Sequence, residues 1–292
     1  MFEVTDNGLL FFDMMKSYNN SMDKHEFYIT RLDDIDTLNS LKFTTDVSIF
    51  RLAKSGTKGI IYYHKTNETY LFDVASKTAT KIYLGNDDMI SDIELSYDGS
   101  KIAYAIMNLN KPEGGEHRYY LYAQNIDGSD KILVSDSALI TYSYRRRFHF
   151  SKDNSILVYQ AGYSSSFDFN LYKYSFGDMV NTKLTSELSG IYHIVLSPDG
   201  KKIAFVLDPI LDHEKPNQLM ILNIESGKLI EAWSKAGSEP ILPLWLENSE
   251  DLLFISKKDL SIINYNYISG TSKIYFTFSS EDTDRIVDIF YY

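Results

Sequence analysis

The strongest constraint on this chain is a repeat. A short apolar triplet closed by an aromatic residue occurs at Leu9-Leu10-Phe11, Ile60-Ile61-Tyr62, Ile102-Ala103-Tyr104, Leu157-Val158-Tyr159, Ile203-Ala204-Phe205 and Leu252-Leu253-Phe254. The closing aromatics are 51, 42, 55, 46 and 49 residues apart, and from Phe254 through the end of the chain to Phe11 is another 49. Repeats of this period describe units that cannot bury their apolar faces alone and must stack on one another.

Each triplet follows a turn, most plainly Ser96-Tyr97-Asp98-Gly99-Ser100 and Ser197-Pro198-Asp199-Gly200-Lys201. Asp bonds its own backbone there and Gly accepts positive φ. Before the turn stands an apolar run, such as Ile90 to Leu95, Phe148 to Phe150, Ile191 to Leu196 or Ile241 to Trp245. A third segment follows the triplet (Phe27 to Ile29, Tyr70 to Phe72, Tyr120 to Tyr122, Leu171 to Lys173, Leu219 to Ile221, Ile262 to Asn264), and a more polar fourth comes after turns such as Gly227 or Gly270. Four strand-length pieces in each of six units predict antiparallel sheets repeated radially, with strands A to D running outward from an axis. The 23 Tyr and 17 Phe suit such pleated surfaces. No helical period extends over 11 or more residues; the nearest, Asp33 to Lys42, is short and polar.

Few residues precede Leu9, so the first unit is expected to lack an inner strand, and Arg285 to Phe290 to fill the vacancy. That would close the ring and remove exposed sheet edges. The expected fold is all-β: a six-bladed β-propeller of four-stranded antiparallel blades, one domain over residues 1–292, closed by the C-terminal strand joining the N-terminal blade.

Charge and composition exclude several function classes. With 29 Lys and Arg against 40 Asp and Glu, the formal charge is −11, which repels a phosphate backbone. Nucleic acid is therefore not an expected partner. Zero Cys removes disulfides, thiolate nucleophiles and Cys-based zinc sites. No apolar stretch reaches the length of a membrane span, and the N-terminus lacks the pattern of a signal peptide. The chain as given is expected to be soluble and monomeric, with its compartment left open between extracytoplasmic, had a leader or anchor been removed, and cytoplasmic.

The segments Leu95-Ser96-Tyr97-Asp98-Gly99-Ser100-Lys101-Ile102-Ala103-Tyr104 and Leu196-Ser197-Pro198-Asp199-Gly200-Lys201-Lys202-Ile203-Ala204-Phe205 resemble the WD40-like PD40 repeats of TolB-type β-propellers. The fourth unit has Ser151-Lys152-Asp153-Asn154, the sixth keeps only the Trp before its turn, and the first two are degenerate. The resemblance implies a blade and no activity. Relatives of this kind mostly bind proteins, some form the noncatalytic half of prolyl-oligopeptidase-type enzymes, and some are metal-dependent lyases of sugar acids. No G-x-S-x-G elbow occurs here, and the six His are scattered.

In propellers, the D-to-A connections and B-to-C loops open on one face, where the first residues of each A strand line the channel mouth. Counting back from the turns aligns Asp92, Arg147, His193 and Leu242, with Ser91, Arg146, Tyr192 and Ile241 one step earlier. Arg145, Arg146 and Arg147 concentrate positive charge at one entrance. They are read either as an anchor for a carboxylate or phosphate or as partners of Asp88, Asp92 or Glu239. His149 and His193, on neighbouring A strands, make a poor metal pair without a third ligand. His25, His117 and His213 fall in B-to-C loops spanning Lys16 to Glu26, Asn108 to Arg118 and Asp208 to Asn217, and Tyr163 and Phe167 in the exposed loop Ala161 to Asp168. Aromatic loop tips suit a partner surface.

The expected function is binding of a protein or peptide through the loop face and mouth, with no turnover, cofactor or metal. The mouth is assigned Arg145, Arg146, Arg147, His193, Tyr192 and Asp92, and the partner loops Tyr163, Phe167, His117 and His213. The alternatives are a metal-dependent lyase or hydrolase at the mouth and a sensor of a small anionic ligand.

Overall fold

The structure, a computed structural model, describes residues 2–4, 9–18, 21–31, 41–44, 49–63, 65–84, 90–107, 119–138, 148–163, 168–186, 188, 190–208, 216–235, 239–256, 259 and 261–277. Every regular element among them is a β-strand. In chain order these are β1 (Phe2–Val4), β2 (Leu9–Tyr18), β3 (Ser21–Arg31) and β4 (Leu41–Thr44), then β5 (Ile49–Leu52), β6 (Lys58–Tyr63), β7 (Glu68–Asp73) and β8 (Thr78–Ile82). There follow β9 (Ile90–Leu95), β10 (Lys101–Met107), β11 (Tyr119–Asn125) and β12 (Ile132–Ala138), then β13 (Phe148–Phe150), β14 (Ile156–Tyr163), β15 (Asp168–Ser175) and β16 (Val180–Lys183). The last groups are β17 (Ile191–Leu196), β18 (Lys202–Leu207), β19 (Gln218–Asn223) and β20 (Leu229–Trp233), and β21 (Pro240–Trp245), β22 (Asp251–Ser256), β23 (Ser261–Asn266) and β24 (Thr271–Thr277). They form five sheets, four of four strands and one of eight in which β9–β12 and β13–β16 follow one another. All six triplets lie in second strands, as the repeat requires.

Two differences from the sequence reading concern the first sheet. The free edge of β2 is not vacant: β1 occupies it, with Phe2 opposite Phe12 and Val4 opposite Leu10. A three-residue strand carries no usable period, which is why it escapes the pattern. The segment expected to fill that place, Arg285 to Phe290, lies outside the described residues. His25 is not in a loop, because β2 and β3 continue as a long hairpin in which it pairs with Met15.

The chain divides into two compact units, one comprising residues 1–108, 120–134 and 284–292, the other 109–119 and 135–283. In the second unit, alternate residues of one strand serve two cores. Ile203 and Phe205 of β18 and Met220 and Leu222 of β19 pack with Val158, Leu171, Ile191 and Leu196. Their neighbours Ala204, Val206, Leu219 and Ile221 pack with Trp245, Leu252, Phe254 and Ile263. Period-two alternation puts these sets on opposite faces of one sheet, so both faces are buried and the strands read as continuous apolar runs. The first unit repeats this between Ile60 and Tyr62 of β6 and Ile93, Leu95, Ile102 and Tyr104 of β9 and β10.

First strands pack beside first strands: β17 lies against both β13 and β21, and β5 against β9. Lys152, in the turn after β13, reaches Glu247, in the turn after β21, at 2.7 Å. These turns meet although a whole sheet separates them in sequence, so within this unit the sheets converge at their first strands.

In five of the repeats, one end is fixed by the same backbone bonds. The N–H groups of Ala53, Ser96, Ser151, Ser197 and Leu246 donate to the carbonyls of Lys58, Lys101, Ile156, Lys202 and Asp251, all at 2.8–2.9 Å. The fourth residue of each turn, Gly56, Gly99, Asn154, Gly200 or Ser249, is left-handed, with φ between 56° and 71°. A second bond ties the turn after each third strand to this one: Val74, Ile126, Phe176, Ile224 and Tyr267 donate to Thr57, Ser100, Ser155, Lys201 and Glu250. The second repeat, degenerate in sequence, therefore keeps the backbone pattern.

Candidate functional site at the strand entrances

The opposite end is irregular. There the first strands begin, and connections between second and third strands vary from residues 64–67 to 108–118 and 208–217. Three of the first strands, β9, β17 and β21, are also bulged. Val195 pairs with Ala204 and Tyr192 with Val206, leaving His193 and Ile194 opposite Phe205 alone. In β21, Leu242 and Pro243 likewise face Phe254 between the pairs Ile241–Ile255 and Leu244–Leu253. In β9 the extra residue is Ser91, between Asp92–Ala105 and Ile90–Ile106. Bulges bend a strand and re-aim side chains, and they concentrate at functional rims. His193 adopts φ 52°, a sparsely populated conformation for a residue with a Cβ.

This corrects the alignment made by counting back from the turns. By register, Asp92 is equivalent to Tyr192 and Ile241, and His193 belongs to an inserted pair. One inserted residue shifts every position before it, and nothing in the composition of a run reveals it.

Asp92 is 7% exposed. Its Oδ1 lies 3.3 Å from Nη2 of Arg51 on the neighbouring first strand β5. The same oxygen accepts the Ile93 N–H at 2.9 Å. Glu94, two residues on, has Oε2 3.8 Å from Arg51 Nε. A guanidinium thus stands between two carboxylates in an almost water-free setting, where charges persist because they are paired. Sequence reading missed Arg51. Register places it opposite Ile60, two residues before the turn, where the other repeats described there have Glu94, His149, Val195 and Leu244. That position is polar in some repeats and apolar in others, so no rule of the repeat singles Arg51 out, and its pairing with Asp92 is tertiary.

Tyr192 is half-buried, and its hydroxyl donates to Asp208 Oδ2 at 3.0 Å, where the connection leaving β18 begins. That connection is anchored by the Asp208 N–H donating to the Gly190 carbonyl. Nearby in sequence, Lys235 bridges to Asp259 at 3.1 Å, and Ser256 donates to the same carboxylate. Tyr163 ends β14 opposite Asp168, so the expected loop Ala161 to Asp168 shortens to 164–167. His149 lies on β13 opposite Val158. Arg145, Arg146, Arg147, His117, His213 and Phe167 lie outside the described residues.

Burial pushes the Tyr159 phenol up to about 12, and its hydroxyl donates to Asn181. Burial likewise raises Tyr104, hydrogen-bonded at the Leu84 carbonyl. These are packing tyrosines that stay protonated at neutral pH. Among the described residues, no group of three His, Asp or Glu is placed to hold a metal ion. No helix among them is long and apolar enough to cross a membrane.

No protein-family profile matches the sequence, and no curated protein sequence matches it. Solved structures do. The chain is similar to TolB from Acinetobacter baumannii, with TM-score 0.56 and 16% identity over 85% of this chain and 58% of that one. It is similar to a chain of a nidogen/laminin complex (0.59, 12%, covering 94% and 95%) and to the Pyrococcus horikoshii acylaminoacyl peptidase (0.68, 13%, covering 95% and 46%). The chain spans little more than half of that TolB and less than half of that peptidase. Its fold is that of the TolB-like β-propellers.

Proposed function

We propose that the protein is a noncatalytic propeller that binds a protein or peptide at the end where its first strands begin. The observation that carries this is the difference between the two ends of the repeats. One is held by two backbone hydrogen bonds recurring in five repeats, while the other has bulged first strands and connections of widely different length. A rigid frame with variable loops at one end is how folds present recognition surfaces. The presence of a similar chain in a nidogen/laminin complex supports a binding role for this fold.

In this reading the six triplet-bearing repeats are six blades of one monomeric domain, closed into a ring by residues 284–292. Tyr192, His193 and Asp92 stand at the mouth with Arg145, Arg146 and Arg147 as a secondary, anion-gripping contact. The connections carrying His117, Phe167 and His213, with Tyr163 at the end of β14, make the partner surface. Asp92, held by Arg51, acts as part of the frame.

The test compares two immobilised proteins, the intact chain and a variant lacking Asn110 to Glu116, after both are shown to melt alike. A partner retained by the first and lost by the second supports the reading. Equal retention of every bound protein removes it.

A further inference from the structure

Four of the fourth strands share a charge pattern that β12 and β20, with Asp136 and Glu231, do not follow. β4, β8, β16 and β24 carry Lys42, Lys81, Lys183 and Lys273 and no carboxylate, in a chain with 40 acidic residues. Lysine on an edge strand commonly guards against unwanted pairing. In β8 the ammonium is engaged, since Lys81 meets Glu68 at 2.6 Å. β16 has four residues only.

β24 differs on each count. It has seven residues and, among the described residues, is the terminal strand of its sheet and pairs with β23 alone. Ile274 and Tyr275 are 65% and 67% exposed. Among the described residues, the Lys273 ammonium makes no hydrogen bond or close ion pair, though its charge is felt by the Asp251 carboxylate of β22. Thr271 to Ile274 keep regular register with Asn266 to Ile263, and only then does a bulge at Tyr275 interrupt the ladder. Alternate residues of that regular stretch turn their N–H and C=O groups away from β23. Period two puts Lys273 on one face and Ile274 on the other.

We propose that β24 is a docking edge for an extended peptide segment of a partner protein, which adds as a fifth strand and alternates apolar with acidic residues. The apolar side chains lie over Ile274 and the acidic ones over Lys273, while backbone bonds supply the pairing. A second copy pairing through its own β24 is disfavoured as occupant, because it would bring lysine onto the same face as Lys273, cation beside cation. The proposal is independent of the loop-end reading.

The probe is a capped octapeptide alternating valine with glutamate, compared with one alternating valine with lysine. Hydrogen exchange by mass spectrometry and fluorescence anisotropy are read on the intact chain and on the variants Lys273→Glu and Ile274→Pro, each shown to keep the parental melting temperature. The expected result is slowed exchange over residues 271–277 with the glutamate peptide, and roughly tenfold weaker binding of the lysine peptide. Lys273→Glu is expected to reverse that preference without altering capture at the loop end. Unchanged exchange over β24, or a preference that Lys273→Glu leaves intact, overturns the proposal. So does a concentration-dependent dimer that Lys273→Glu dissolves, since the edge would then belong to a second copy. Should Ile274→Pro unfold the chain, the charge reversal alone decides.

Discussion

Arg51 on β5 holds Asp92 on β9 at 3.3 Å, joining two first strands of the same unit through a pair that is 4% and 7% exposed. Removing the guanidinium leaves Asp92 and Glu94 charged and nearly dry. Arg51→Met is expected to lower the unfolding free energy by about 3–5 kcal/mol, as breaking buried pairs does. Adding Asp92→Leu to Arg51→Met is expected to recover part of this. Urea denaturation of both variants measures it, and two additive losses would mean the residues are not coupled.

Gly99 and Gly200 occupy equivalent turns with φ 71° and 70°, but they differ in surroundings. A Cβ at Gly99 would lie 3.0 Å from Lys58 Cδ and 3.1 Å from its Cβ, whereas at Gly200 it would meet nothing within 4 Å. Gly200→Ala therefore carries only the left-handed backbone cost, about 1–2 kcal/mol. Gly99→Ala must also displace Lys58 and should be the more damaging. Thermal melts of the two variants separate backbone strain from crowding.

How far the fold could be read from sequence follows from these same positions. The triplets and the Ser-x-Asp-Gly turns are legible because two-sided burial forces continuous apolar runs and left-handed turns favour Gly. Three features stayed hidden. β1 is too short to show alternation. The bulge at His193 and Ile194 leaves no compositional trace. Arg51 is hidden because the equivalent position holds Glu94, His149, Val195 or Leu244 in other repeats, so no rule of the repeat marks it. Tyr192 and Asp92 were singled out by position in the repeat. Their engagement with Asp208 and Arg51 is tertiary and no spacing encodes it.

Asp199 illustrates the pH dependence of the turns. Burial pushes its pKa up, but hydrogen bonds from Lys202, Ser197 and the Lys201 N–H outweigh this and hold it below the usual carboxylate range. A depressed pKa contributes stability that is present above the ordinary Asp pKa and is lost as pH falls through the folded value. Asp199→Asn is accordingly expected to destabilise at neutral pH by about 1 kcal/mol. The difference from the parent should shrink in acid, and a difference independent of pH between 7 and 2.5 would contradict the assignment.

The absence of cysteine allows a clean test of ring closure. Glu3→Cys combined in turn with Ile286→Cys, Val287→Cys or Asp288→Cys is expected to yield one pair that oxidises intramolecularly in dilute protein while the native melt is kept, since a disulfide needs Cβ atoms within about 4.5 Å. Failure of all three pairs would place the C-terminal segment elsewhere.

The most direct measurement is hydrogen exchange on the complex with the captured partner. Binding at the entrance end predicts slowed exchange at residues 108–118, 208–217 and the starts of β9, β17 and β21, with the turns 53–58, 96–101, 151–156, 197–202 and 246–251 unchanged. Protection confined to those turns would contradict the account.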